Sequence, residues 1–218
     1  MKLGEIKIET LMLIFPSISI EVDTENDEAL TDALFNLKED PNMADYLVAM
    51  PGAINRCFSS LEQRGVLPTR SFGLSMVPSI SGSGKLGYKL SALGVDIAQV
   101  EHISLYTKDA YIPRVDYIRE SADIILLDKK TGGHVEDVYT IVYTPKIKRI
   151  SNITSATHNI DVPDEVACLI PYYVKSEIIR ADDDGEADAS RALFEQGIAQ
   201  LISQKEGYQS SVDTVFRM

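Results

Sequence analysis

The chain has little cysteine, too little positive charge for a nucleic-acid binder, and no apolar run long enough to cross a bilayer. Two cysteines among 218 residues, Cys57 and Cys168, exclude the cysteine-dense frameworks of small secreted domains. Both fall on apolar faces of expected helices, so they read as buried free thiols. Lysine and arginine total 21 against 33 aspartates and glutamates, for a net charge of −12. That balance argues against ordinary binding to DNA, RNA or anionic membranes, which needs a basic footprint. The opening MKLGEIKIETLMLIF is too short and too charged for a signal-peptide core. A cytoplasmic site of synthesis and use is expected, and the Asn152–Thr154 glycosylation pattern then carries no meaning.

What remains is an ordinary globular balance, 44% hydrophobic and 25% charged, in a length that suits one or two domains. Helical periodicity predicts a short helix over Leu3–Phe15, ended by Pro16. An extended segment at Ile18–Val22 and a helix at about Asp27–Lys38 follow. Met43–Arg64 is the longest helical pattern of this half, with Pro51-Gly52 expected to kink or split it and Gly65 suited to its C-terminal turn. From Arg70 to about Lys148 the helical period gives way to β-branched and aromatic residues. Candidate strands are Phe72–Met76, Gly87–Leu90, Val100–Tyr106, Tyr111–Tyr117, Asp123–Leu127 and Val138–Tyr143. The last two are apolar on both faces, hence central or covered, and residues 128–137 are expected to join them as a hairpin. Ser151–Asp161 reads as a polar return loop. Two helices then flank an acidic corner at Asp182–Asp184, with Gly185 expected to supply the turn. The first carries Val166, Leu169, Ile170, Tyr173, Val174 and Ile178 on one face, with Pro171 awkwardly inside it. The second carries Leu193, Phe194, Ile198, Leu201 and Ile202.

Motifs for chemistry fail on inspection. SGSGKL at 81–86 lacks the earlier glycine and the Ser or Thr after lysine that a phosphate loop needs, and reads as a flexible loop between strands. The acidic corner puts Arg180 and Arg191 where a calcium loop needs its first and last carboxylates. His102, His134 and His158 have no metal-ligand spacing. Glu120 and Asp123 have no apolar enclosure to push their pKa values apart. Tyr172 and Tyr173 read as packing residues. No catalytic, cofactor or metal site is expected, so the chain reads as non-enzymatic. The basic residues Arg114, Arg119, Lys129, Lys130, Lys146, Lys148 and Arg149 read as a solvated, edge-protecting face, or more sharply as a contact with an acidic neighbour.

The expected class is therefore α+β: a helical bundle built from the N- and C-terminal segments, with a small β-sandwich-like domain inserted. The expected division is 1–68 and 161–203 for the bundle, 69–160 for the β domain and 204–218 for a polar C-terminal tail. The apolar faces of the helices are wide enough for intrachain packing plus a neighbour, which makes Phe58, Leu193 and Phe194 candidate partner-binding residues. In the tail, Tyr208, Val212, Val215 and Phe216 recur as anchors that could order on a partner.

One stretch also carries a family likeness. An acidic helix start leading into Leu169-Ile170-Pro171-Tyr172-Tyr173-Val174, then the Asp182–Asp184 corner, then Arg191-Ala192-Leu193-Phe194-Glu195, resembles the C-terminal helical pair of head-to-tail adaptor (head-completion) proteins of tailed bacteriophages. The likeness extends more weakly to Asn42–Gly65 and to the β-rich middle. It implies a virion structural protein, assembled in the host cytoplasm, in a ring of roughly twelve identical copies between portal and tail. Portal protein, tail proteins and its own copies would be the partners. Genomic DNA would pass through the hole without specific binding, along a wall in which carboxylates outnumber basic groups. A carbohydrate- or receptor-binding β-sandwich module of a virion is the alternative, and an uncharacterised hydrolase a third reading.

Overall fold

A computed structural model describes residues 1–17, 20–74, 80–82, 85–94, 96–107, 110–121, 123–128 and 138–215. The chain is α+β and divides into two compact units, Met1–Leu67 with Ile147–Met218, and Pro68–Lys146. The first is helical. It comprises α1 (Leu3–Ile14), α2 (Asp27–Glu39), α3 (Pro41–Gln63), α4 (Asp164–Ala167), α5 (Ile170–Ile178) and α6 (Asp184–Val215).

Local chemistry fixes the helix ends. The Asn26 side chain accepts from the N–H groups of Glu28 and Ala29 to start α2, and Asp40 accepts from Asn42 N–H to start α3. Such caps satisfy donors that a first turn leaves without partners. The α1 start is served from far along the chain: Leu3 N–H donates to His158 O at 2.9 Å and Gly4 N–H to Ala156 O at 2.8 Å. At its other end the buried Lys175 ammonium donates to Leu13 O at 2.7 Å and to Glu186 Oε1. A cation there also suits the negative end of the helix dipole.

α3 runs unbroken through Pro51, where a kink or split was expected. An interior proline costs about 3 kcal/mol. Met43, Leu47, Met50, Ala53, Ile54, Cys57, Phe58 and Leu61 all bury on one face of α3, and each large apolar side chain buried is worth about 1.5–3 kcal/mol. The stripe outweighs the proline. Pro171 is resolved differently. The expected long helix breaks after Ala167 and α5 begins at Ile170, so Pro171 occupies a first turn where its missing N–H is harmless. Gly185 is also helical: the corner turns at Asp182-Asp183, and Asp183 Oδ1 caps α6 through Glu186 N–H. The expected positive-φ residue after α3 is present, since Gly65 has φ of 68°.

Two expected boundaries move. Residues 147–160 belong to the helical unit, not to the β domain, because Ile147, Ile150 and Ile160 lie in the helical core. Asn55 and Ile150 exchange two hydrogen bonds, side-chain N–H to Ile150 O at 2.8 Å and Ile150 N–H to Asn55 Oδ1 at 3.0 Å. Glu62 accepts from Ile147 N–H and pairs with Arg149, both at 2.8 Å. α3 thus holds the returning chain much as a neighbouring strand would. Residues 204–215, expected as a loose tail, instead continue α6, one helix of 32 residues. Extending a formed helix adds a hydrogen bond per residue without a new nucleus, which offsets the poor propensity of Gly207, Ser210 and Ser211. Phe216 lies outside the described residues.

The second unit is a pair of antiparallel four-stranded sheets. One has the order β1 (Arg70–Leu74), β8 (Val138–Pro145), β4 (Ile97–Tyr106), β5 (Tyr111–Ile112). The other runs β2 (Ile80–Gly82), β3 (Lys85–Lys89), β7 (Ile124–Asp128), β6 (Tyr117–Arg119). Both sheets feed one apolar core, with Tyr88, Ile125 and Leu127 from one and Val100, Ile103, Leu105, Tyr139, Ile141 and Tyr143 from the other. Inward residues alternate along β8, as a half-buried strand requires. As expected of strands apolar on both sides, β7 and β8 are interior in their sheets. They do not pair, however. β7 bonds β3 and β6 while β8 bonds β1 and β4, so the expected hairpin is a crossing between sheets. Residues 129–137 of that crossing, with Lys129, Lys130 and His134, lie outside the described residues. Tyr111–Tyr117 splits into β5 and β6 around Pro113. Of residues 81–86, expected as a loop, Ser81 and Gly82 belong to β2 and Lys85 and Leu86 to β3, paired in register Gly82↔Lys85.

Two glycines in this framework should respond oppositely to alanine. A Cβ at Gly4 would stand 2.8–3.0 Å from the buried Leu30 side chain, whereas one at Gly52 would meet only Arg56 Nη1 at 3.6 Å. Overpacking costs about 1–3 kcal/mol and alanine gains up to about 1 kcal/mol in a helix. Denaturant titration should show Gly4→Ala destabilised by about 1 kcal/mol or more and Gly52→Ala stabilised by about 0.5–1 kcal/mol.

Candidate functional site

The helical pair that carries the family likeness is α5 and α6. Its inward face is closed. Phe194 and Ile198 of α6 are buried against Val174 and Tyr173 of α5 and against α3, with Tyr173 and Phe194 rings edge to face at 5.1 Å. A ladder of alternating charges crosses the seam. Arg56 donates to Glu177 at 2.8 Å, Glu177 accepts from Arg191 at 3.3 Å, and Arg191 donates to Glu195 at 3.1 Å. Glu195 accepts from Arg64 through both oxygens, one bond at 2.9 Å. The Arg191 guanidinium lies 4.0 Å from the Tyr173 ring centroid and Arg64 lies 5.6 Å from that of Phe194. Planar arginine suits both tasks, since it forks onto carboxylates and stacks on rings. Arg64's hydrogen bonds hold the Glu195 carboxyl below the usual carboxylate range, with Arg191 acting in the same direction. Fixed charges thus lock α3, α5 and α6 together.

The candidate partner-binding residues separate in this setting. Phe58 and Phe194 are fully enclosed by their own chain. They serve the core, which corrects their assignment as docking residues: apolar periodicity marks a buried face without saying what buries it. Leu193, one position from Phe194, is 52% exposed and is free to meet a partner. Tyr208, Val212 and Val215 lie along the last turns of α6. Lys205 marks where intrachain contact is still strong, donating to Gly65 O at 2.7 Å and Leu67 O at 3.1 Å.

A second surface was not anticipated. Lys7 of α1, Leu34 and Lys38 of α2, Leu47 and Val48 of α3, and Asn152 of the return segment line an open cleft. Burial, then the charge of Lys38, pushes the Lys7 ammonium below its ordinary pKa. Neither lysine has an ion-pair partner among the described residues. Beside the cleft Phe35 is 61% and Val48 56% exposed, and Ile153 is 95% exposed. The sequence signal was Phe35, which stands off the Leu30, Leu34, Leu37 stripe of α2.

Other candidates resolve simply. Cys57 is buried, and burial pushes its thiol far above the ordinary value. Cys168 is exposed rather than buried, because the break between α4 and α5 turns it outward, its Sγ 3.2 Å from Glu165 O. In the acidic corner Arg180 pairs with Asp184 at 3.5 Å and Asp188 at 3.1 Å. Among the described residues no group of His, Cys, Asp and Glu has metal-binding geometry, and no helix is long and apolar enough to cross a membrane. Asp123 accepts from Ser91 N–H and Oγ–H, which lowers its carboxyl pKa and makes it a cap for the turn at Leu90–Leu93. Arg149 and Arg119, expected on a solvated or partner face, reach Glu62 and Ala98 O of their own chain. On the β unit, Tyr106 and Tyr111 stack on each other at 4.5 Å and both are about half exposed, next to exposed Val138.

No protein-family model matches the chain, and no curated protein matches it.

The charge ladder gives a pH dependence. Glu195 has a depressed folded pKa, so its contribution is present above the unfolded carboxyl value of about 4.3 and is lost as pH falls through the lower folded one. The pair is partly solvated, which limits it to about 1 kcal/mol or less. Denaturation midpoints of parent and Glu195→Gln should differ at pH 7 and converge below about pH 4. A difference that stays constant to pH 3 contradicts this.

Proposed function

We propose that this chain is a non-enzymatic structural protein of a tailed-phage virion, a ring-forming adaptor that joins the capsid portal to the tail and lets DNA pass. The reading is carried by one observation: the segment with the family likeness is a packed, charge-locked helical pair whose inner face is closed and whose outer face leaves Leu193 in solvent. A rigid platform with an uncovered apolar residue is suited to assembly. Self-association in a ring requires two different surfaces on each copy, and the helical unit has a second one at the Lys7–Lys38 cleft. The C-terminal turns of α6, with Tyr208, Val212 and Val215, run ten residues past Lys205 and are assigned to the portal or a neighbouring copy, together with Phe216. The net charge of −12 suits a bore along which DNA slides, since cationic contacts would hold phosphate.

The adaptor reading has a direct test. Full-length chain mixed with the portal ring of the same particle should co-sediment in roughly twelve copies per ring, and a chain ended after Lys205 should bind at least about tenfold more weakly. Failure to bind portal contradicts the reading. Equal binding by the shortened chain removes the end of α6 from the interface. In a gel-shift at about 50 mM salt the chain should not retard duplex DNA, and a salt-sensitive shift argues against the repelling bore.

The binding-module alternative draws on the exposed Tyr106–Tyr111 pair. Half-exposed rings side by side are apt platforms for sugar rings or a receptor surface. A glycan that raised the melting temperature of the parent, and not of Tyr106→Ala, would favour it.

A further inference from the structure

We propose that two copies of this chain bind head to tail through their helical units, the acidic corner and Leu193 face of α6 on one copy seating in the Lys7–Lys38 cleft of the next. The inference rests on the ring-forming reading above and names the surfaces that would close the ring.

Three observations converge. The first is charge. The cleft presents Lys7 and Lys38 without ion-pair partners among the described residues, on a chain with a large acidic excess. The corner presents Asp182, Asp183, Asp184, Glu186 and Asp188 against only Arg180 and Lys175. The two lysines of the cleft are opposite in sign to the carboxylate excess of the corner, although exposed Asp32 and Glu39 stand near Phe35 on α2, and opposite charges steer and orient association. The second is apolar surface. Among the described residues of the helical unit the exposed large hydrophobic ones are Met12, Phe35, Val48, Ile153 and Leu193. Phe35, Val48 and Ile153 belong to the cleft or its immediate sequence neighbours. Leu193 belongs to the corner side, because Glu186, Ala189 and Leu193 are all exposed and recur at i, i+3, i+7 along one face of α6. Ala189 beside Leu193 lets a partner approach closely. The third is position. α2 packs on α1 and α3, whereas α6 packs on α5, which itself lies against α1 and α3. The two surfaces are therefore built on different elements of one unit, the cleft on α1, α2 and α3 and the Leu193 face on α6. That placement makes the contact heterologous, the type that generates rings when its rotation closes.

Sedimentation velocity of the full-length chain provides the test. At about 50 mM salt and hundreds of micromolar protein the parent should associate in a concentration-dependent way, and at about 500 mM salt at least tenfold more weakly. Phe35→Asp removes the cleft surface and Leu193→Asp the corner surface. Both sites are exposed, and circular dichroism should show parent-like folding. Each variant alone should be monomeric. Their equimolar mixture should give a discrete one-to-one dimer and nothing larger, because one intact cleft then meets one intact corner. The proposal is overturned if the parent stays monomeric, if either variant associates as the parent does, or if the mixture stays monomeric. Portal binding separates this from the adaptor reading. Variants that still load onto portal as full rings end the cleft-to-corner contact and leave the adaptor function standing. A head-to-tail dimer from a chain that never binds portal does the reverse.

Discussion

The helical unit depends on α3 holding a piece of chain that returns to it from far along the sequence. The Asn55–Ile150 exchange and the bond that Glu62 accepts from Ile147 N–H satisfy backbone groups of the returning chain, and leaving such a group buried without a partner costs about 1–3 kcal/mol. With that segment in place, Ile147, Ile150 and Ile160 complete the core. The backbone carbonyls of Ala156 and His158 reach the first turn of α1. The same anchoring delivers the chain to α4, α5 and α6. An inserted β unit is compatible with a single helical core because its exit is fastened to the helix that precedes its entry.

The sequence makes part of this legible. Periodicity alone places α1, α2 and α3 within a few residues and finds the two C-terminal helices, though neither the break after Ala167 nor the extension of α6 to Val215, and the change of period after Leu67 marks the β unit. Interior strands are recognisable where both faces are apolar, as at Ile124–Leu127. Partners are less legible. β7 and β8 follow one another with glycines between them and still enter different sheets, facing each other across one core, and apolar patterning alone does not distinguish pairing from facing. The end of the β unit is hidden for a related reason: Asn55 and Glu62 look like ordinary polar positions on a helix, and nothing local says that they bond a distant backbone. Pro171 misleads until the helix break before it is seen.

For the candidate surfaces the lesson is sharper. Phe58 and Phe194 have the strongest apolar signal and are core. Leu193 has the same signal and is exposed, since α6 carries apolar residues over more than the arc that α5 and α3 cover. The Lys7–Lys38 cleft is assembled from α1, α2, α3 and the return segment, so no single stretch of sequence contains it. Its informative features are unpaired charge and an off-stripe phenylalanine, which are visible only against the packed helices.

In the proposed adaptor, the locked α3–α5–α6 seam would provide rigidity, the cleft and the Leu193 face would provide contact, and the acidic excess would keep DNA mobile. The most direct measurement is an image of the assembled particle at a resolution that distinguishes helices. The account predicts a ring of this chain between portal and tail, with neighbouring helical units side by side. Density for the chain elsewhere on the particle, or a ring joined through the β units alone, would contradict it.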